Sequence, residues 1–282
     1  MTQAAPVLKW AGGKRQIAAE ILRQLPKRIE TYFEPFVGGG AVFFALFNEG
    51  RFERAVLGDK NPELVNVYQA LKEDVEGVIR ALRKLKDKHS ESEYYRVRAA
   101  NPRSATARAA RVLYLNKTGF NGLYRVNRDG RFNVPLGRYT EPKILNEARL
   151  RAASEALKNV ELVLADFEAL CRQSRPGDAV YFDPPYLPIS PTAAFAEYHA
   201  EPFGLDEHQR LAKAFDELTR RGVVSVLSNS DTPATRELFA AHRVRAISVR
   251  RAINSVATRR GGVGEILVTQ RPVARALRGA RA

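Results

Sequence analysis

The chain has 282 residues, enough for one large core or for a core with a smaller inserted unit. Its 46 lysines and arginines outnumber 31 acids, giving a net charge of +15, a pI near 10.1 and the expectation of a polyanionic partner. A single cysteine, Cys171, excludes an internal disulfide and fits a reducing compartment. No stretch approaches a membrane span, and Met1 to Lys14 lacks the apolar run of a signal peptide. Four separated histidines (His89, His199, His208, His242) make no ligand cluster, so no metal is expected.

The first motif is Leu8-Lys9-Trp10-Ala11-Gly12-Gly13-Lys14. A phosphate loop needs Gly at position 8 and Ser or Thr at 15, where Leu8 and Arg15 stand, so an NTPase is excluded. A tight turn into an amphipathic helix (Ile17, Ile21, Leu22, Leu25, stopped by Pro26) remains. Its amides, Trp10 and Lys14 suit the zwitterionic end of a small ligand. Standing alone, the segment would read as a core tryptophan beside a solvated lysine.

Tyr32 to Val37 reads as a strand, Gly38-Gly39-Gly40 as a turn and Ala41 to Phe47 as a helix, the opening unit of a Rossmann-like sheet. Phe43 occupies the place of the third glycine in G-x-G-x-x-G, which argues for a nucleoside ligand without a pyrophosphate. A second strand, Ala55 to Gly58, ends in Asp59, about 20 residues after the turn, where an acid commonly takes ribose hydroxyls. Asn61-Pro62 caps a helical pattern from Val65 to Leu85.

Between Arg96 and Lys143 lie eleven basic residues and only two acids. A helix through Val112 to Leu115 leads to Asn116-Lys117-Thr118-Gly119-Phe120-Asn121-Gly122. Two alternating runs follow, Leu123 to Val126 and Arg131 to Pro135, and the Asp129-Gly130 step between them predicts a hairpin. A ribbon carrying arginines fits a major groove, where arginine reads guanine, and Phe120, Leu123 and Pro135 add apolar contacts.

The sheet resumes at Val160 to Ala165, closed by Asp166-Phe167. Ala179 to Phe182 is an apolar run that reads as a buried strand, and it stops at Asp183-Pro184-Pro185-Tyr186. Two prolines hold the backbone stiff and without amide donors. Asp183 and the Pro184 carbonyl then offer two acceptors to one amine, and Tyr186 offers a ring face, as an exocyclic amine on a flat base requires. A plain strand-end turn is the simpler alternative. A long loop (Leu187 to Phe203), a helix through Leu211, Ala214, Phe215 and Leu218, and strands at Val223 to Leu227, Val244 to Val249 and Gly264 to Thr269 complete the chain. Six arginines and no acid between Arg243 and Arg260 form a second basic patch, placed to flank a duplex with the first.

These motifs resemble those of the Dam-type family of DNA adenine-N6 methyltransferases. The segments Leu8 to Lys14, Glu34 to Gly40, Phe120 to Arg125, Phe132 to Pro135 and Asp183 to Tyr186 match in order, over Leu8 to about Leu267. The resemblance implies an α/β fold, a Rossmann-like mixed sheet with a mostly helical target-recognition insert that bears a β-hairpin. Residues 1–71 and 146–272 would form the catalytic core, 72–145 the insert and 273–282 a basic tail. It implies S-adenosylmethionine as methyl donor, with Trp10, Lys14, Glu34, Phe36, Gly38, Gly40, Asp59, Asp166, Phe167 and Asp183 as its binding residues. Double-stranded DNA is the implied partner, met by Lys9, Phe120, Asn121, Leu123, Arg125, Pro135 and Tyr139. Phe120 would be the wedge in the base stack, Arg125 the base reader, and Lys9 and Tyr139 outer contacts.

Asp183, Pro184, Pro185 and Tyr186 are the implied catalytic residues, methylating adenine N6 within GATC after the base leaves the helix. A cytoplasmic monomer without an obligate protein partner is expected, with restriction-modification among the implied settings. Phe120 stands where some relatives have tyrosine, and Asn254 to Gly264 departs from the family pattern; both bear on specificity. Two other classes stay open. An RNA or other nucleobase-amine methyltransferase would need no duplex-reading hairpin, and a catalytically silent DNA-binding homologue would need no intact Asp183 to Tyr186.

Overall fold

The structure, a computed structural model, describes residues 2–10, 12–127, 129–186, 203–247 and 264–271. Its strands are β1 (Ile29–Glu34), β2 (Phe52–Asp59), β3 (Val160–Leu164), β4 (Ala179–Phe182), β5 (Val224–Ser230), β6 (Arg243–Ile247) and β7 (Glu265–Thr269). They form a seven-stranded sheet in the order β3-β2-β1-β4-β5-β7-β6. The first five strands in that order run parallel, and β7 is antiparallel to both its neighbours. This is the Rossmann-like mixed sheet that the motifs imply.

The inner strands are apolar on both faces, because helices cover both sides of a parallel sheet. Tyr32, Leu57 and Tyr181 pack on one side with α1 (Ala18–Gln24), α2 (Ala41–Asn48), α3 (Pro62–Asp87), α5 (Ala105–Thr118) and α6 (Glu147–Leu157). Their chain neighbours Phe33, Val56 and Phe182 pack on the other with α7 (Phe167–Gln173) and α8 (Leu205–Arg220). One hydrophobic core runs from the sheet through α3 into α4 (Glu91–Ala99) and α5, so the helices of the expected insert share the core of the sheet. Residue 72, where the insert was expected to begin, lies inside α3, just before a break in helical geometry at Asp74 (φ −146°, ψ 66°).

Helix starts follow local chemistry. Asn61, Ser90, Ser104, Asn146 and Asp166 each accept an amide of the first turn of α3, α4, α5, α6 and α7, and Thr232 does so for α9 (Pro233–Leu238). No side chain of its own N-cap does this for α2, where Gly40 stands at φ +68°.

β1 and β4 are neighbours, and the connections leave them in opposite directions, β1 toward β2 and β4 toward β5. The carboxyl ends of such a strand pair open a crevice, the usual ligand position in an open α/β sheet. The glycine turn after β1 and the Asp183 motif after β4 both fall there.

Two expectations change. The hairpin is reduced to isolated bridges, Val126 to Phe132 and Gly119 to Leu136, without regular strands. Asn127 explains part of this: its side chain accepts the amides of Asp129 and Arg131, and Gly130 takes φ +72°, so a compact turn replaces the ladder. The basic excess also overstates the free charge. Arg96 pairs with Glu93, Arg108 with Glu63 and Arg245 with Glu20, while Arg111 donates to the carbonyls of Val97 and Arg98. Arg128, the loop over 187–202, the arginines from Arg250 to Arg260 and the expected tail lie outside the described residues.

Candidate functional site

The glycine turn is held from three sides. The Gly38 amide donates to Asp59 Oδ2 (3.3 Å), the Tyr68 hydroxyl donates to the Gly38 carbonyl (2.8 Å), and the Trp10 ring covers the turn. A Cβ at Gly38 would sit 2.8 Å from Trp10 Cδ1, and φ is +46° there, so only glycine serves. Asp59 Oδ1 accepts the Asn61 amide (2.9 Å), which fixes the carboxylate at the end of β2.

Glu34 supports the turn from behind. It is buried, accepts from the Tyr32 hydroxyl (2.8 Å), and takes the amide of Phe43 in the first turn of α2, supplying the cap that Gly40 lacks. Burial pushes its carboxyl up to about 8, opposed by those hydrogen bonds.

Beside the turn, Phe36 stacks on Phe167 (5.6 Å between centroids) and meets Phe203 edge-on (5.5 Å). Asp166 caps α7 through the Glu168 amide and pairs with Lys60 (2.9 Å) and Arg210 (3.2 Å). Against the cost of burial, the Glu168 amide and Lys60 hold its carboxyl below the ordinary range. An aromatic wall with an acid at its rim fits the flat, amine-bearing ring of a nucleoside.

At the end of β4, Lys14 is buried and its Nζ lies 2.8 Å from Asp183 Oδ1 and 4.8 Å from the centre of the Tyr186 ring. The Ser228 hydroxyl of β5 donates to the same Oδ1 (3.0 Å) and exchanges a hydrogen bond with the Tyr181 hydroxyl (2.8 Å). Both of these Asp183 contacts fall on Oδ1. Burial raises the Asp183 pKa, while Lys14 and Ser228 pull it down. The Tyr186 hydroxyl and Glu265 Oε2 are each buried without a hydrogen-bond partner among the described residues, and after burial and Asp183 it is Glu265 that raises the Tyr186 pKa. A separate cavity of about 550 Å3, lined by Thr31, Arg54, Lys158 and Asp178 among others, opens toward the amino ends of the strands and contains none of these groups.

All the residues expected to contact a duplex except Lys9 fall on the expected insert, and Lys9 reaches it. Phe120 is 44% exposed, Tyr139 is exposed, and Lys9 Nζ lies over the Tyr139 ring (4.6 Å). Asn121 is exposed with φ +54°, Pro135 is exposed, and Leu123 is half-buried. Arg125 is half-buried and steered by Asn133, Nε to Oδ1 at 2.7 Å. Sequence reasoning missed Ser228, Asn133, Asn116 and Tyr124. Ser228 had a signal: an apolar strand turning into Ser228-Asn229-Ser230-Asp231 is unusual for a buried sheet, and all three strand residues there are buried.

A Rossmann-like sheet with an acid, two prolines and an aromatic ring beside a bare glycine turn defines an amino-group methyltransferase. The model for the D12 class N6 adenine-specific DNA methyltransferases matches residues 10–253. The chain is similar to the Type II methyltransferase M1.LlaDCHI of Lactococcus lactis subsp. cremoris, at 39% identity over 94% of both chains. M.MjaIII of Methanocaldococcus jannaschii, also a Type II methyltransferase, is 39% identical over 94% of this chain and 99% of its own. The DNA adenine methylase of Escherichia coli (strain K12) is 36% identical over 94% and 95%. The chain belongs to the D12 class N6 adenine-specific DNA methyltransferase family. Among its described residues, no helix is long and apolar enough to cross a membrane.

Proposed function

We propose that this protein transfers the methyl group of S-adenosylmethionine to adenine N6 in duplex GATC sites, after the adenine has left the helix. The observation that carries the reading is the state of Asp183. Lys14 and Ser228 both engage Oδ1, which leaves Oδ2 and the Pro184 carbonyl to accept the two protons of one amine. S-adenosylmethionine, when bound, supplies an electrophilic methyl on a sulfonium. The chain's residues fit that molecule: Phe36 and Phe167 for the adenine ring, Asp59 for the ribose hydroxyls, and the bare turn at Gly38 to Gly40 with Trp10 and Lys14 for the amino-acid end.

The adenine N6 lone pair is delocalised into the ring, and two acceptors in line with its protons turn it toward the methyl carbon. Tyr186 stacks on the extruded base and holds it in plane. Extrusion costs a few kcal/mol, which the stacking and hydrogen bonds of the pocket offset. Positioning of this kind accelerates transfer without a covalent enzyme intermediate. The surplus N6 proton passes to Asp183 Oδ2, whose proton affinity burial has raised. Residues 72–145 form the reading unit, with Arg125 for a guanine, Phe120 as the wedge in the vacated stack, and Lys9, Asn121, Leu123, Pro135 and Tyr139 around them.

Unmethylated DNA treated with purified protein and S-adenosylmethionine tests the whole reading by methylation mapping. N6-methyladenine confined to GATC is the expected result. A different sequence overturns the site. Methylation of RNA in place of duplex DNA overturns the substrate, and methylation that needs another donor overturns the cofactor.

A further inference from the structure

The segment Lys9-Trp10 touches both halves of the molecule. On its outer side the Lys9 chain crosses Gly122, where a Cβ would lie 2.4 Å from Lys9 Cδ, and reaches Tyr139. On its inner side Trp10 covers Gly38. The main chain between them is clamped by Asn116 at the end of α5. Asn116 is buried, accepts the Lys9 amide (2.8 Å), and donates to the carbonyls of Lys9 and Gly122 (both 2.8 Å). One side chain thus ties the strip before the glycine turn to the start of the reading region.

Tyr124 makes the second tie. It sits one residue before Arg125, and its ring stacks on Trp10 with centroids 5.6 Å apart and planes 28° from parallel. Its hydroxyl lies against the side chain of Asn61, whose amide holds Asp59 Oδ1. Asp59 holds Gly38, and Gly38 lies under Trp10. The contacts close a ring: Tyr124, Trp10, Gly38, Asp59, Asn61 and back to Tyr124. A shift of the hairpin on meeting a duplex therefore cannot leave the glycine turn untouched.

We infer that Tyr124 is a positioning residue, contacting neither donor nor DNA, whose stack on Trp10 couples engagement of the duplex to the shape of the cofactor crevice. The inference rests on the donor reading above only for what fills that crevice. Coupling between sites is reciprocal, so a duplex that settles the hairpin tightens the crevice by the same factor that its ligand tightens duplex binding.

Trp10 is the sole tryptophan of the chain, so its fluorescence reports on the junction directly. In the wild-type protein, a GATC duplex alone should shift Trp10 emission. S-adenosylhomocysteine should bind about 5- to 100-fold more tightly with that duplex present. In Tyr124→Leu both effects should vanish, the affinity ratio falling to about 1. Tyr124→Phe keeps the stacking ring and should retain both. A merely structural tyrosine would lower the melting temperature and both affinities while leaving the ratio intact, and that result overturns the inference. The duplex-only arm needs no cofactor. If S-adenosylhomocysteine fails to bind the wild-type protein, the donor reading falls, and the Trp10 response to duplex still decides the coupling.

Discussion

The carboxyl end of the sheet and the outer face of the insert solve opposite problems. At the sheet, polar groups are wholly or largely buried and held: Asp183 by Lys14 and Ser228, Glu34 by Tyr32, Gly38 by Asp59 and Tyr68. On the insert, Phe120 and Tyr139 face solvent, and the hairpin holds its shape with single bridges. Chemistry on one amine needs fixed acceptors, whereas entry into a groove needs side chains that the duplex itself arranges. Rigidity is concentrated at the pocket proposed for the reacting atoms.

Breaking the held region should have the largest effect. Asp183→Ala should lower kcat on the order of a thousandfold or more while duplex binding persists, as followed by labelled methyl transfer and by gel shift. Near-normal turnover would remove Asp183 from the chemistry. The reading face should respond in specificity instead. Arg125→Ala should lose about 1–3 kcal/mol of discrimination at one guanine, measured on single-base variants of GATC. Asn133→Ala, which removes the side-chain oxygen that Arg125 Nε donates to, should lose part of the same discrimination at the same base pair. Equal losses on every duplex would make Arg125 a backbone contact.

Phe120→Ala should lower kcat about tenfold and reduce the fluorescence of 2-aminopurine placed at the target adenine, with the melting temperature unchanged because the ring is exposed. An unaltered probe signal would mean that another group opens the stack. A last test sharpens the contrast from the buried side, through stability rather than turnover. Glu34 keeps its proton in the folded chain up to about pH 8 but in the unfolded chain only to its ordinary 4.5. Stability should therefore fall as pH rises between those values, by at most about 1.4 kcal/mol per unit from this group. Glu34→Gln should flatten that slope in urea midpoints taken across the window, and an unchanged slope would assign the proton elsewhere.

Much of the sheet end was legible because its signals are local. An apolar run ending in Asp183-Pro184-Pro185-Tyr186, or a glycine turn with Asp59 about 20 residues on, carries its geometry in adjacent residues. Ser228 was announced only as a polar break in an apolar strand, and Asn116 not at all, because their roles are set by partners far away in sequence. Asn116 holds Lys9 across the whole of β1, β2 and α3, and nothing near position 116 announces it. The hairpin shows the reverse error. Asp129-Gly130 correctly marks a turn, but Asn127 caps it with its side-chain oxygen, and the ladder expected on either side shrinks to isolated bridges. Composition pointed to a polyanionic partner but not to the residues that meet it, since charge counts cannot tell an exposed arginine from one bound to Glu63 or to a carbonyl.

The register of β2 with β3 reaches into how the molecule comes into being. Asp59 lies opposite Leu164, so adjacent strands are separated in the chain by about a hundred residues, with α3 to α6 between them. During synthesis the β1–β2 pair can form early, but β3, and β4 on the other side of β1, emerge only after the insert has left the ribosome. Asp183 follows β4, so the pocket proposed for methyl transfer can be assembled only after the whole expected insert has been made, and the shared core of sheet and insert closes late.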